Sequence, residues 1–126
     1  MNSAKVSSLI ENADISISSA EIISKTIDQA ALEWQTVFIN YYEALRMLTE
    51  ALLIFHKVKI SNHKCLFAYL CVNYSQLDWN FLDEFRRKRN GANYYGEKIT
   101  YKLWIESECI IKYHISCLKK ILLQKG

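Results

Sequence analysis

Trp34-Gln35-Thr36-Val37-Phe38-Ile39-Asn40-Tyr41-Tyr42-Glu43-Ala44-Leu45-Arg46-Met47-Leu48-Thr49-Glu50-Ala51-Leu52-Leu53-Ile54-Phe55 decides the fold class. Trp34, Phe38, Tyr41, Leu45, Leu48, Leu52 and Phe55 recur at alternating spacings of four and three. That spacing puts them on one side of an α-helix, as in the seam of a helical bundle. Tyr42, Leu53 and Ile54 widen the stripe, so this helix is expected at the centre of the bundle or in a dimer interface. Ala44, Leu45, Arg46, Met47, Glu50 and Ala51 are good helix formers and reinforce the pattern.

The flanking sequence extends the same reading. Upstream, Val6, Ile10, Ala13, Ile17, Ala20 and Ile27 form an apolar stripe from about Ser3 to Ile27. The serines around Ile15 and Ile17 lower helix propensity and mark a place where the helix can break. Downstream, Ser61 or Asn62 is an N-cap for a short helix carrying Leu66, Phe67, Leu70 and Tyr74. Ser75 or Asp78 starts a fourth, whose residues Leu77, Phe81, Phe85 and Ala92 lie within roughly 80° on a helical wheel. Leu82, Arg86, Arg89 and Asn93 form an adjoining stripe, so Arg89 borders the core face. Gly96 is the expected helix stop. A last helix from about Ile99 to Leu123 buries Trp104, Ile111, Ile115, Leu118 and Leu122, with Lys119, Lys120 and Lys125 at its negative dipole end.

Composition agrees. The 126 residues fit a single domain, 1–126, able to bury a core unaided. There is no proline and there are three glycines, too few turn residues for a β-rich domain. The fold class is therefore all-α, an up-and-down bundle of four to five helices. No run approaches the length of a membrane span, so no membrane partner is expected. Without a secretory signal, a reducing, cytoplasmic setting follows. Cys65, Cys71, Cys109 and Cys117 contain no C-x-x-C pair, and three of them are expected as small core residues. His63, Cys65 and Cys71 match no metal motif, and neither metal nor cofactor is expected. His63 stands near the start of the third helix and could reach the arginine site, but reads first as a helix-start or surface residue, while His56 and His114 show no ligand spacing. Trp34, Trp79 and Trp104 read as core or interface anchors.

The chemistry concentrates in Phe85-Arg86-Arg87-Lys88-Arg89-Asn90-Gly91-Ala92-Asn93-Tyr94-Tyr95-Gly96. Guanidinium groups bind phosphate through planar forks. Asparagine and phenol add neutral hydrogen bonds, and tyrosines beside cations can stack bases. The competing reading is a solvated helix face, with Glu84 paired to Arg87 and Lys88. The net charge of +3, from 16 basic and 13 acidic residues, is too mild to decide between them.

The order of these elements resembles the HEPN domain, a family of small helical bundles. The resemblance rests on Tyr41-Tyr42-Glu43-Ala44-Leu45-Arg46 running into Ala51-Leu52-Leu53, on Ser61-Asn62-His63-Lys64 through Tyr69-Leu70, and on Arg89-Asn90 followed by Asn93-Tyr94-Tyr95-Gly96. It covers about residues 30 to 100. It implies a homodimer whose arginine motifs face a shared cleft. It also implies one of two activities: metal-independent endoribonuclease, often a toxin, or partnership with a minimal nucleotidyltransferase in a toxin–antitoxin-type pair, binding nucleotide or RNA. By that resemblance Arg89 contacts phosphate, Asn90 orients it, and Arg86, Asn93 and Tyr95 complete a nucleotide- or RNA-binding cleft. The family's ribonucleases place a histidine four to six residues beyond the arginine, where this chain has Tyr94. A phenol is a poor general base near neutrality, so the departure points to binding or docking rather than cleavage. The alternatives are an active endoribonuclease using Arg89, Asn90 and Tyr94, and a non-catalytic helical dimerisation module. Nucleotidyl transfer from the partner onto Tyr94 or Tyr95 is a further implication.

Overall fold

In the computed structural model, which describes residues 3–59 and 62–125, five helices form an all-α bundle. They are α1 (Ser3–Thr26), α2 (Trp34–His56), α3 (His63–Asn73), α4 (Trp79–Tyr94) and α5 (Tyr101–Lys125). Among the described residues there is no strand, and no helix is long and apolar enough to cross a membrane.

The bundle is organised around α2, which packs against each of the other four helices. Phe38, Tyr42, Leu45, Leu48 and Leu52 are among its fully buried side chains. Burying each large apolar side chain contributes about 1.5–3 kcal/mol, which concentrates the core along this one helix. Phe55 alone of the seam stays half-buried. α1 is continuous through Ile15 and Ile17, with no break at the serines. It buries Val6, Ala13 and Ala20, and these small contact residues seat it closely on α2. In the connection, Asp28 accepts from the Ala30 N–H at 2.9 Å, and its carbonyl accepts from the Trp34 indole at 2.8 Å. Aromatic contacts fix α5 on α2, Trp34 edge-on to Tyr101 and Tyr41 stacked on Trp104 with centroids 4.9 Å apart.

Capping sets the two short helices. The Asn62 side chain accepts from Cys65 N–H at 2.9 Å and caps α3; the other candidate cap, Ser61, lies outside the described residues. Tyr74 is extended and ends α3 rather than continuing it. Asp78 caps α4, accepting from the Asn80 and Phe81 N–H groups, and its own N–H donates to His114 Nε2 at 3.0 Å. His114 is buried and tied by Nδ1 to the Ile110 carbonyl, which links α4 to α5.

Two expectations are corrected. Leu77 precedes α4, so it cannot set that helix's phase, and Phe81 is 36% exposed. The buried side is Leu82, Phe85 and Ala92, rotated toward Arg89, which therefore lies on the inner face rather than beside it. Of the cysteines, only Cys71 and Cys117 pack half-buried against the core, Cys65 and Cys109 are exposed, and all four are free thiols. In α5 the buried residues Ser107, Ile111 and His114 define a face that Cys109 opposes.

Candidate functional site: the Arg89 cleft

The four cations of the basic run sit in successive positions of α4 and meet different fates. Arg86 is held by Asp83 through two hydrogen bonds, 3.0 Å from Nε and 2.9 Å from Nη2. Arg87, 67% exposed, reaches the other Asp83 oxygen at 3.3 Å. Lys88 pairs with Glu84 at 2.9 Å, whereas Arg87 turns to Asp83 instead of the expected Glu84. These helix-face pairs are mostly the solvated arrangement expected of a charge run.

Arg89 is different. Its side chain is 18% exposed and points across to α2. Nη2 lies 3.3 Å from Glu43 Oε1, and Nη1 donates to Asn90 Oδ1 at 3.2 Å. The guanidinium carbon lies 5.7 Å from the Tyr42 ring centroid and 5.9 Å from that of Tyr94, a cation–π arrangement on two rings. Nε is buried and has no hydrogen-bond partner. An unmade hydrogen bond of this kind costs about 1–3 kcal/mol, and buried polar groups left unpaired are rare in folded proteins. Compared with Arg86, Arg89 is loosely and incompletely satisfied.

Glu43 is shared, its second oxygen accepting from Arg46 Nε at 2.9 Å. Arg46 also bonds Glu50 through Nη1. Two guanidinium groups therefore flank one carboxylate on α2. The hydrogen bonds and charges of Glu43 and Glu50 hold the Arg46 guanidinium above its usual range, overcoming the opposing effect of burial.

The third contributor is His63, for which the sequence offered the cleft only as the lesser of two readings. His63, expected at the surface, is half-buried, and its Nδ1 lies 2.7 Å from the Tyr42 hydroxyl. The two rings lie 5.8 Å apart, so Tyr42 carries His63 at its hydroxyl and Arg89 on its ring. Burial, aided by the charges of Arg46 and Arg89, pushes His63 below the usual histidine range. Burial raises the Tyr42 phenol, which stays protonated.

Of the residues singled out in the sequence, the structure brings together Arg89, Asn90 and Tyr94. Arg86 is taken up by Asp83. Asn93 and Tyr95 are exposed at the end of α4, Tyr95 at 79%, and Tyr94 is itself 68% exposed. Tyr42, Glu43, Arg46 and His63 complete the cluster of side chains around Arg89. A shared pattern of charge could have suggested Glu43 and Arg46, but His63 reaches the cleft only because α3 is laid along α2. Among the described residues no group of three or more His, Cys, Asp or Glu side chains is placed to hold a metal ion. The chain matches no family model, no curated protein and no solved structure.

Proposed function

We propose that the chain is a HEPN-like nucleotide- or RNA-binding protein whose phosphate contact is Arg89, acting as a homodimer in a toxin–antitoxin-type pairing with a minimal nucleotidyltransferase. The observation that carries this reading is the state of Arg89: mostly buried, stacked on Tyr42 and Tyr94, bonded at long distances to Asn90 and Glu43, and left with one N–H unpaired. A phosphate oxygen would give the terminal nitrogens, held by Asn90 at 3.2 Å and Glu43 at 3.3 Å, the shorter charge-assisted bonds they lack. Asn90 holds the guanidinium plane, and the exposed rings of Tyr94 and Tyr95 offer stacking surfaces for bases.

Tyr94 and Tyr95 favour the partner reading in particular. Both phenols are exposed, Tyr94 against Arg89 and Tyr95 at the end of α4, and both are open to nucleotidyl transfer by a partner enzyme. Co-expression with a minimal nucleotidyltransferase is the test. The expected result is a stable complex and a mass gain of whole nucleotides, lost in the Tyr94→Phe, Tyr95→Phe double variant. An unchanged mass and no complex would remove the partner reading and leave RNA binding to stand or fall by itself. Endoribonuclease activity is the second reading, favoured by the imidazole at the cleft.

A further inference from the structure

We propose that His63 is the general base of the Arg89 cleft, supplying from α3 the imidazole that position 94 lacks. The inference rests on the RNA-binding reading of Arg89. It takes the substrate to be a single-stranded RNA phosphodiester with its neighbouring 2′-hydroxyl.

Three observations converge on His63. Tyr42 occupies Nδ1 at 2.7 Å, so the ring is fixed in orientation and only Nε2 is left to act. Among the described residues His63 Nε2 has no hydrogen-bond partner, and it is not among the fully buried unpaired atoms of this half-buried residue. Tyr42 places this ring and the Arg89 guanidinium on one side chain, the pairing of proton acceptor and anion stabiliser that transfer at phosphorus needs. The charged groups facing His63 are Arg46, Glu43 and Glu50 from α2 and Arg89 from α4. Burial and the two arginines outweigh the two carboxylates and hold the imidazole below the usual histidine range, in the neutral form that a base requires.

In the acting tautomer, Nδ1–H donates to the Tyr42 oxygen and Nε2 carries the lone pair. Nε2 takes the 2′-hydroxyl proton as O2′ attacks phosphorus. The O2′–P bond forms and the P–O5′ bond breaks. The charge on the phosphoryl oxygens is held by Arg89, and the leaving 5′-oxygen takes a proton from water. The products are a 2′,3′-cyclic phosphate and a 5′-hydroxyl, and His63 returns its proton to solvent. Tyr42 is a positioning residue in this scheme, since it acts only through the imidazole.

The experiment follows binding and cleavage of a 5′-labelled mixed-sequence single-stranded RNA in EDTA, with the full-length wild type and the Arg89→Ala, His63→Ala, His63→Gln, Tyr42→Phe and Arg87→Ala variants. The expected wild-type product ends in a cyclic phosphate, and kcat/KM falls on the acid side of a limb lying below pH ~6.5. His63→Ala and His63→Gln lower kcat about 100-fold, in line with the usual weight of a general base, with binding kept and the acid limb gone. Added imidazole restores part of the His63→Ala rate. Tyr42→Phe lowers kcat with KM unchanged, and Arg87→Ala matches wild type. His63 variants that cut as fast as wild type, with the same pH profile, would overturn the role of His63 and leave the Arg89 site intact. So would Arg89-dependent RNA binding with no cleavage at all. Binding indifferent to Arg89→Ala would overturn the cleft reading together with this one. His63→Gln, which can still bond Tyr42, separates lost chemistry from lost folding.

Discussion

Gly91 and Gly96 carry opposite expectations. Gly91 is buried inside α4, and a Cβ there would meet the Glu97 carboxylate oxygen at 2.0 Å. That atom is the end of a flexible, exposed side chain, which swings aside at little cost. Alanine is favoured over glycine in a helix by about 0.8–1.0 kcal/mol, so Gly91→Ala should raise stability by up to that amount. Gly96 has φ +68°, which folds the chain back so that Glu97 N–H reaches the Gly91 carbonyl at 3.0 Å. Any Cβ is strained in that region, at about 1–2 kcal/mol, so Gly96→Ala should be destabilising. Urea titration of both variants decides it; a destabilised Gly91→Ala would mean that Glu97 cannot move. Gly96 was readable as a helix end from its neighbours, but Gly91 was not readable as a buried site, because its burial depends on where Glu97 returns.

At the scale of the element, α4 depends on one cap and one histidine. Asp78 accepts from the first N–H groups of α4 and donates its own N–H to His114. With Nδ1 donating to Ile110, Nε2 of His114 must be unprotonated to accept. Burial pushes His114 below the usual histidine range, as it does His63. An unfolded histidine takes up a proton as pH falls through about 6.5, while the folded chain resists it. The unfolded state therefore binds more protons in this window, and stability falls as pH drops from about 6.5 toward the folded values. The melting temperature should decrease between pH 7 and pH 5, and His114→Gln should flatten the decrease, with His63 supplying the remainder. A melting temperature independent of pH across that window would contradict the buried, neutral His114. The sequence disclosed the caps themselves, since Asn62 and Asp78 stand just ahead of apolar runs. It did not disclose the phase of α4. Leu77 matches the periodic pattern but falls in the preceding loop, and only the packing of Leu82 and Phe85 on α2 turned Arg89 inward. The seam of α2 was legible because seven large side chains keep one period over the whole helix.

At the scale of the molecule, a basic run and a basic cleft prove to be different things. Arg86 and Arg87 share the carboxylate of Asp83 and Lys88 pairs with Glu84, so these three cations are largely taken up on their own helix. Arg89 reaches another helix, where three elements meet: α2 brings Tyr42, Glu43 and Arg46, α3 brings His63, and α4 brings Asn90 and Tyr94. Binding that depends on this cleft should be directional rather than diffuse, with a shallow dependence on salt. Single-stranded RNA contributes a slope of about 0.7 per neutralised phosphate, and a site built on Arg89 with Arg46 beside it should give a value near one or two such contacts. The most direct measurement is therefore fluorescence anisotropy of labelled single-stranded RNA, across a salt series, with wild type, Arg89→Ala and the Arg87→Ala, Lys88→Ala double variant. The cleft predicts affinity reduced about tenfold or more by Arg89→Ala, the loss of a charge-assisted contact, against less than about twofold for the double variant, which removes two charges from the solvated face. Equal losses in the two variants, or a greater loss in the double variant, would contradict it and return the run to a general electrostatic surface.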